Sequence, residues 1–93
     1  MNKYEAIFIF RPEDENVARG TALVQQEFQN SGINILEKID PGVRTLAYRI
    51  KKSEKGRYHI YNIEAEPDKL KPLDKILKLK DEILKFVFFK KDK

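Results

Sequence analysis

Apolar and polar residues alternate between two periods along this chain. Tyr4 to Phe10 (YEAIFIF) is short and rich in aromatic and β-branched side chains, which predicts a strand. Arg11-Pro12 ends it, because proline cannot donate to a ladder and restricts the residue before it. Glu13, Asp14 and Glu15 then place negative charge where a helix start favours it. Val17, Thr21, Val24 and Phe28 recur at helical spacing, and Asn30-Ser31-Gly32 supplies a left-handed stop, so a helix is predicted over 14–31. Gly20 costs about 1 kcal/mol against alanine inside a helix, so it either weakens the helix assignment or marks a close backbone approach.

Two strands follow. Ile33 to Ile39 alternates loosely, Asp40-Pro41-Gly42 interrupts it, and Val43 to Ile50 resumes, which reads as one long strand with a bulge or kink. Lys51 to Gly56 (KKSEKG) reads as a polar turn, and Arg57 to Ala65 as the return strand of a hairpin. Glu66-Pro67-Asp68 opens a second helix with Asp68 as its N-cap. Leu70, Leu73, Ile76 and Leu77 form its buried stripe, Pro72 falls in or next to its first turn, and it ends near Lys80. Lys85 to Lys90 (KFVFFK) is the last strand. The order β-α-β-β-α-β predicts an α+β, ferredoxin-like fold: a four-stranded antiparallel sheet, first and third strands central, with both helices on one face. The expectation is a single domain over 1–93 with a short basic tail at about 90–93.

A strand with one solvated face should alternate apolar and polar residues, and here the first strand does not. Tyr4, Ala6, Phe8 and Phe10 share one parity, yet Ile7 and Ile9 occupy the other. In the last strand, Phe86 and Phe88 oppose Val87 and Phe89. With the even residues of the first strand facing the helices, Ile7, Ile9, Val87 and Phe89 lie on the open face, joined by Tyr58 and Ile60. Contiguous apolar patches of this kind mark interaction sites, so these six residues are the expected protein-partner face.

Charge and composition narrow the chemistry. Residues 1–46 carry a net charge of −2 and residues 47–93 a net of +6, a field suited to polyanions. Lys51, Lys52, Lys55 and Arg57 cluster at the hairpin tip, while Lys85, Lys90, Lys91 and Lys93 flank the last strand beside Lys3. Without cysteine there are no disulfides, thiolate nucleophiles or Cys-based metal sites, and a cytosolic setting is expected. No apolar run approaches the ~20 residues of a membrane helix, and no secretory cleavage pattern follows MNKYEAIFIF. The single histidine, His59, has the helix-facing parity and reads as a satisfied core residue. Asp81-Glu82 is ordinary turn chemistry. No catalysis, metal or cofactor is expected. Tyr4 and Tyr48 read as half-buried core. An alternative binding role comes from RNA-recognition motifs, which share this topology and stack single-stranded RNA on aromatics of the first and third strands. Lys55-Gly56-Arg57-Tyr58-His59-Ile60-Tyr61 is faintly similar to that third-strand signature, but the first strand offers Ile7 and Ile9 where rings are wanted.

More specific is the run Gly42-Val43-Arg44-Thr45-Leu46-Ala47-Tyr48-Arg49-Ile50-Lys51. With Lys3-Tyr4-Glu5 and Lys55-Gly56-Arg57-Tyr58, it resembles the bacterial small-subunit ribosomal protein S6 family over nearly the whole chain. Thr45 departs from the charged or amide residue usual there, and Asn2-Lys3 from a more arginine-rich start. The resemblance implies a structural role in the cytoplasmic ribosome, as a heterodimer with ribosomal protein S18 bound to the central domain of small-subunit rRNA. It implies Lys3, Tyr4, Arg44, Lys85 and Lys90, at family positions that are basic or aromatic, as rRNA contacts, the lysines and arginine being of the kind that neutralise phosphates without reading sequence.

Overall fold

A computed structural model describes residues 1–91. The elements run β1 (Asn2–Phe10), α1 (Asp14–Asn30), β2 (Asn34–Ile50), β3 (Ser53–Ala65), α2 (Pro67–Lys78) and β4 (Ile83–Lys90). The sheet is antiparallel in the order β2-β3-β1-β4, so β1 and β3 are central as expected. Both helices pack on the face that receives the even residues of β1.

Phe8 stands at the centre of the core. Its ring lies 5.7 Å from Tyr61 and 6.1 Å from Phe28, both edge-on, and stacks with Phe10 and Phe86. Val24 and Phe28 of α1 and Leu73 and Leu77 of α2 close over it, with Val17 and Leu70 at the margin. A β-carbon at Gly20 would overlap the Phe10 ring, so the glycine is what lets α1 settle onto β1. The helix ends as its sequence implies, with Gly32 at φ 70 and the Ile33 N–H donating to the Phe28 carbonyl at 2.9 Å.

Several boundaries differ from expectation, among them the end of α2 at Lys78 rather than near Lys80. The polar stretch 51–56 is not a long turn: only Lys51 and Lys52 turn, both with positive φ, the conformation a two-residue hairpin needs, and Ser53 already pairs with Ile50. The N-cap of α2 is Glu66, with Pro67 as first helical residue and Asp68 inside the first turn. Pro72 therefore sits in the second turn. β4 begins at Ile83, two residues early, because a register shift against β1 between Ile9 and Phe10 accommodates Leu84.

The predicted interruption of β2 is real. Its ladder with β3 shifts first between Ile35 and Glu37 and then between Ile39 and Gly42, where Gly42 adopts φ 97 and its N–H donates to Asp40 Oδ1. It shifts again between Thr45 and Ile50, where four β2 residues stand opposite one of β3. That last excursion shapes the site.

Candidate functional site

Cross-strand pairing sets out the open face row by row. Ile39, Ile60, Ile7 and Val87 lie side by side across β2, β3, β1 and β4. Ile7 and Ile60 are half-buried, whereas Ile39 and Val87 are exposed. The next row holds Glu37, Asn62, Glu5 and Phe89, with Asn62 Nδ2 donating to Glu37 Oε1 at 2.7 Å and Phe89 51% exposed. Beyond it lie Glu64 and Lys3, and the Lys91 N–H donates to the Lys3 carbonyl. Ile39 was not foreseen on this face. A register shift between Ile35 and Glu37 turns Ile39 to the open face, and only its pairing with Ile60 reveals this.

Ile9 corrects the expected partner face. It is 8% exposed and forms a second cluster with Leu46 and Leu84, flanked by Ile50 and Tyr58. The chain covers it with its own hairpin: the excursion at 46–49 brings Leu46 over Ile9, and Gly56 leaves room beneath. Tyr58, paired with Ile9, is half-buried in the same cluster. The vacant part of the face is thus the Ile39–Val87 row with Phe89, and not the end of the sheet near Ile9.

The expected RNA contacts do not form one patch. Tyr4 is 8% exposed within the main core, so its ring offers no stacking platform, in line with its reading as a core tyrosine. Lys3 and Lys90 lie at one end of the sheet, Arg44 and Lys85 at the other. Lys85 pairs with Ile9 and points to the open face, while Lys90 pairs with Tyr4 and has the helix-side parity. Tyr48 departs from its core reading: it is 63% exposed, its hydroxyl 3.5 Å from Lys85 Nζ.

Two of the four hairpin-tip cations are committed within the chain. Lys51 Nζ donates to the Ile83 carbonyl at 2.9 Å. Arg57 grips both carboxylate oxygens of Asp40, at 3.1 and 2.6 Å, clamping the β2 bulge onto β3 and holding the Asp40 carboxyl below its ordinary pKa. His59 is buried at 3% as expected, but it is not satisfied: neither ring nitrogen has a hydrogen-bond partner, and Nε2 stands 3.4 Å from Asp40 Oδ2. Burial, then the nearby Lys38 ammonium, push its pKa down, so the ring is neutral at pH 7. Lys93, Asp92 and their expected part in the basic tail lie outside the described residues. Among the described residues no group of acidic or imidazole side chains has the arrangement of a metal site, and no helix is long and apolar enough to cross a membrane.

Comparison with known proteins decides between readings that share this topology. The family model described as Ribosomal protein S6 matches residues 3–90. The small ribosomal subunit protein bS6 of Treponema denticola is 38% identical over 88 residues, covering 95% of both chains. That of Exiguobacterium sibiricum is 34% identical over the full length of both.

The chain belongs to the ribosomal protein S6 family.

It is accordingly a structural component of the small ribosomal subunit, in bacteria a cytoplasmic particle, and not an enzyme. The crystal structure of 30S ribosomal protein S6 from Thermotoga maritima superposes with a TM-score of 0.86 at 24% identity, covering 97% of this chain and 87% of that one. The C-terminal domain of the MgtC protein from Mycobacterium tuberculosis reaches 0.67 at 15% identity, covering 98% and 88%. The S6 fold is therefore common to proteins outside the family, and what distinguishes this member is what its sheet carries.

Proposed function

We propose that this chain binds the central domain of small-subunit rRNA as a heterodimer with ribosomal protein S18, which sits on the open sheet face. The observation that carries the reading is the row Ile39–Ile60–Ile7–Val87, apolar across all four strands with both ends exposed. A solvent-facing sheet surface has no reason to be apolar along a whole row unless another surface covers it. Glu5, Glu37 and Glu64 beside the row repel phosphate, which favours a protein over RNA at that place. The cations at the sheet ends, Lys3 and Lys90 at one and Arg44 and Lys85 at the other, make no ion pair among the described residues and are suited to RNA backbone. Reading the sheet as an RNA-recognition-motif platform finds less support, because β1 presents Ile7 and a covered Ile9 where rings would have to stand.

The test is titration calorimetry of the chain with purified S18 of the same organism, then binding of the pair to a central-domain rRNA transcript. Ile39→Glu with Val87→Glu, at the two exposed ends of the row, should abolish association with S18 and change the unfolding midpoint little. Unimpaired association would remove the open face from the interface, and no binding of the pair to the transcript would refute the rRNA part.

A further inference from the structure

The end of the open face that the hairpin covers has a feature the partner row does not use. Ile9, Leu46, Ala47, Tyr48, Ile50, Tyr58 and Lys85 line a cleft of about 130 Å³. Its floor is apolar, two of its lining residues are tyrosines, a lysine stands at its side, and no carboxylate lines it. Tyr48 is the exposed ring among these residues. It lies inside the excursion where β2 leaves its ladder, yet its position is not left loose. Leu46 on one side and Ile50 on the other both pack into the Ile9–Leu84 cluster, and Lys51 ties the following residue to β4. The chain therefore holds an uncovered aromatic ring on a fixed support beside an ammonium group.

We propose that this cleft receives one unpaired RNA base, stacked on Tyr48, with Lys85 neutralising the adjoining phosphate. The inference rests on the rRNA-binding reading above and adds a contact type to it: a ring that holds a base, beside cations that hold backbone. Charge decides for RNA over a protein side chain. The carboxylates Glu5, Glu37 and Glu64 occupy the opposite end of the face, while near Tyr48 along the hairpin Arg49 and Lys52 outweigh the single Glu54. An apolar, ring-walled cleft with a cationic rim matches how single-stranded bases are held without sequence readout.

The experiment measures binding of the chain, paired with S18, to the central-domain transcript over a range of salt. Tyr48→Phe keeps the ring and should retain most of the affinity that Tyr48→Ala loses. Tyr48→Ala should weaken binding roughly 5- to 150-fold, the loss expected of one stacked base, with an unchanged salt slope because no charge is removed. Lys85→Gln should weaken binding and flatten the slope by about 0.7 to 0.9. A 4-thiouridine-labelled transcript should crosslink within residues 46–50. Wild-type affinity in Tyr48→Ala, or a loss confined to association with S18, would overturn the proposal. Failure of the wild-type pair to bind the transcript at all would instead bring down the rRNA reading on which it rests.

Discussion

Gly56 on β3 faces Ile9 on β1 so closely that a β-carbon at position 56 would overlap Ile9 Cγ2. The absent side chain is what allows Leu46 and Leu84 to close over Ile9, and so what fixes where the vacant part of the sheet begins. Gly56→Ala should destabilise the fold by about 1–3 kcal/mol, the usual range for overpacking. Equilibrium urea unfolding reads it, and Ile9→Leu in the same chain should restore part of the loss, since leucine carries no second branch on its β-carbon where Cγ2 stands. A neutral Gly56→Ala would mean that the hairpin shifts freely and does not set the boundary.

His59 makes stability depend on pH in a definite direction. Its folded pKa lies below the ordinary 6.5, chiefly through burial, with Lys38 and Arg57 opposing the charged form and only Asp40 favouring it. The unfolded chain therefore takes up a proton near pH 6.5 that the native protein refuses. The contribution is fully present above that pH and shrinks as pH falls towards the lower native value. The lowered Asp40 pKa acts separately, below about its ordinary 3.8. The denaturant midpoint of the wild type should fall between pH 7 and 5, and His59→Leu should remove most of that slope. An equal slope in His59→Leu would assign the effect to other groups.

Much of this molecule is readable from residue order because the core obeys simple parity: Tyr4, Ala6, Phe8 and Phe10 all face the helices, and the α1 stripe from Val17 to Phe28 lies where 3.6-residue spacing puts it. The open-face row follows from the same parity on β1 and β4. What resists reading is the course of β2. Three shifts in its ladder disturb the alternation: the one between Ile35 and Glu37 conceals Ile39, and the one between Ile39 and Gly42 brings Leu46 to the side of Ile9. The lysines at 51 and 52 look like a long polar turn because a two-residue hairpin normally announces itself with asparagine or glycine. Tyr48 was unreadable for the same reason, since its exposure depends on an excursion that no local spacing encodes.

Lys85 and Lys90 lie five residues apart on β4 and on opposite faces of the sheet, a separation of roughly 17 Å along the strand. If both touch rRNA phosphates, the RNA must pass around the β4 edge. Each single alanine variant should then flatten the salt dependence of transcript binding by about 0.7 to 0.9, and the pair should add in free energy because sites this far apart do not couple. Filter binding at several salt concentrations measures both. A slope altered by Lys85→Ala alone would confine the RNA to the open-face side.

Lys51 and Lys52 share a backbone conformation and differ in what their side chains do. Both have positive φ, which costs a non-glycine residue roughly 1–2 kcal/mol relative to ordinary backbone. Only Lys51 reaches β4, where its ammonium donates to the Ile83 carbonyl in a partly buried setting. Lys52→Gly should therefore raise stability by several tenths to about 1 kcal/mol, since it relieves the conformation and gives up no described contact. Lys51→Gly relieves the same backbone but loses a charged hydrogen bond of about 1.5–3 kcal/mol, so its net effect should be destabilising. Lys51→Met, which keeps the backbone preference and deletes only the ammonium, should show that loss undiluted. Chemical unfolding of the three variants ranks them directly, and hydrogen exchange at the amides of residues 46–50 should quicken in both Lys51 variants but not in Lys52→Gly. Equal stabilisation by glycine at the two positions would mean that the reach to Ile83 holds nothing in place.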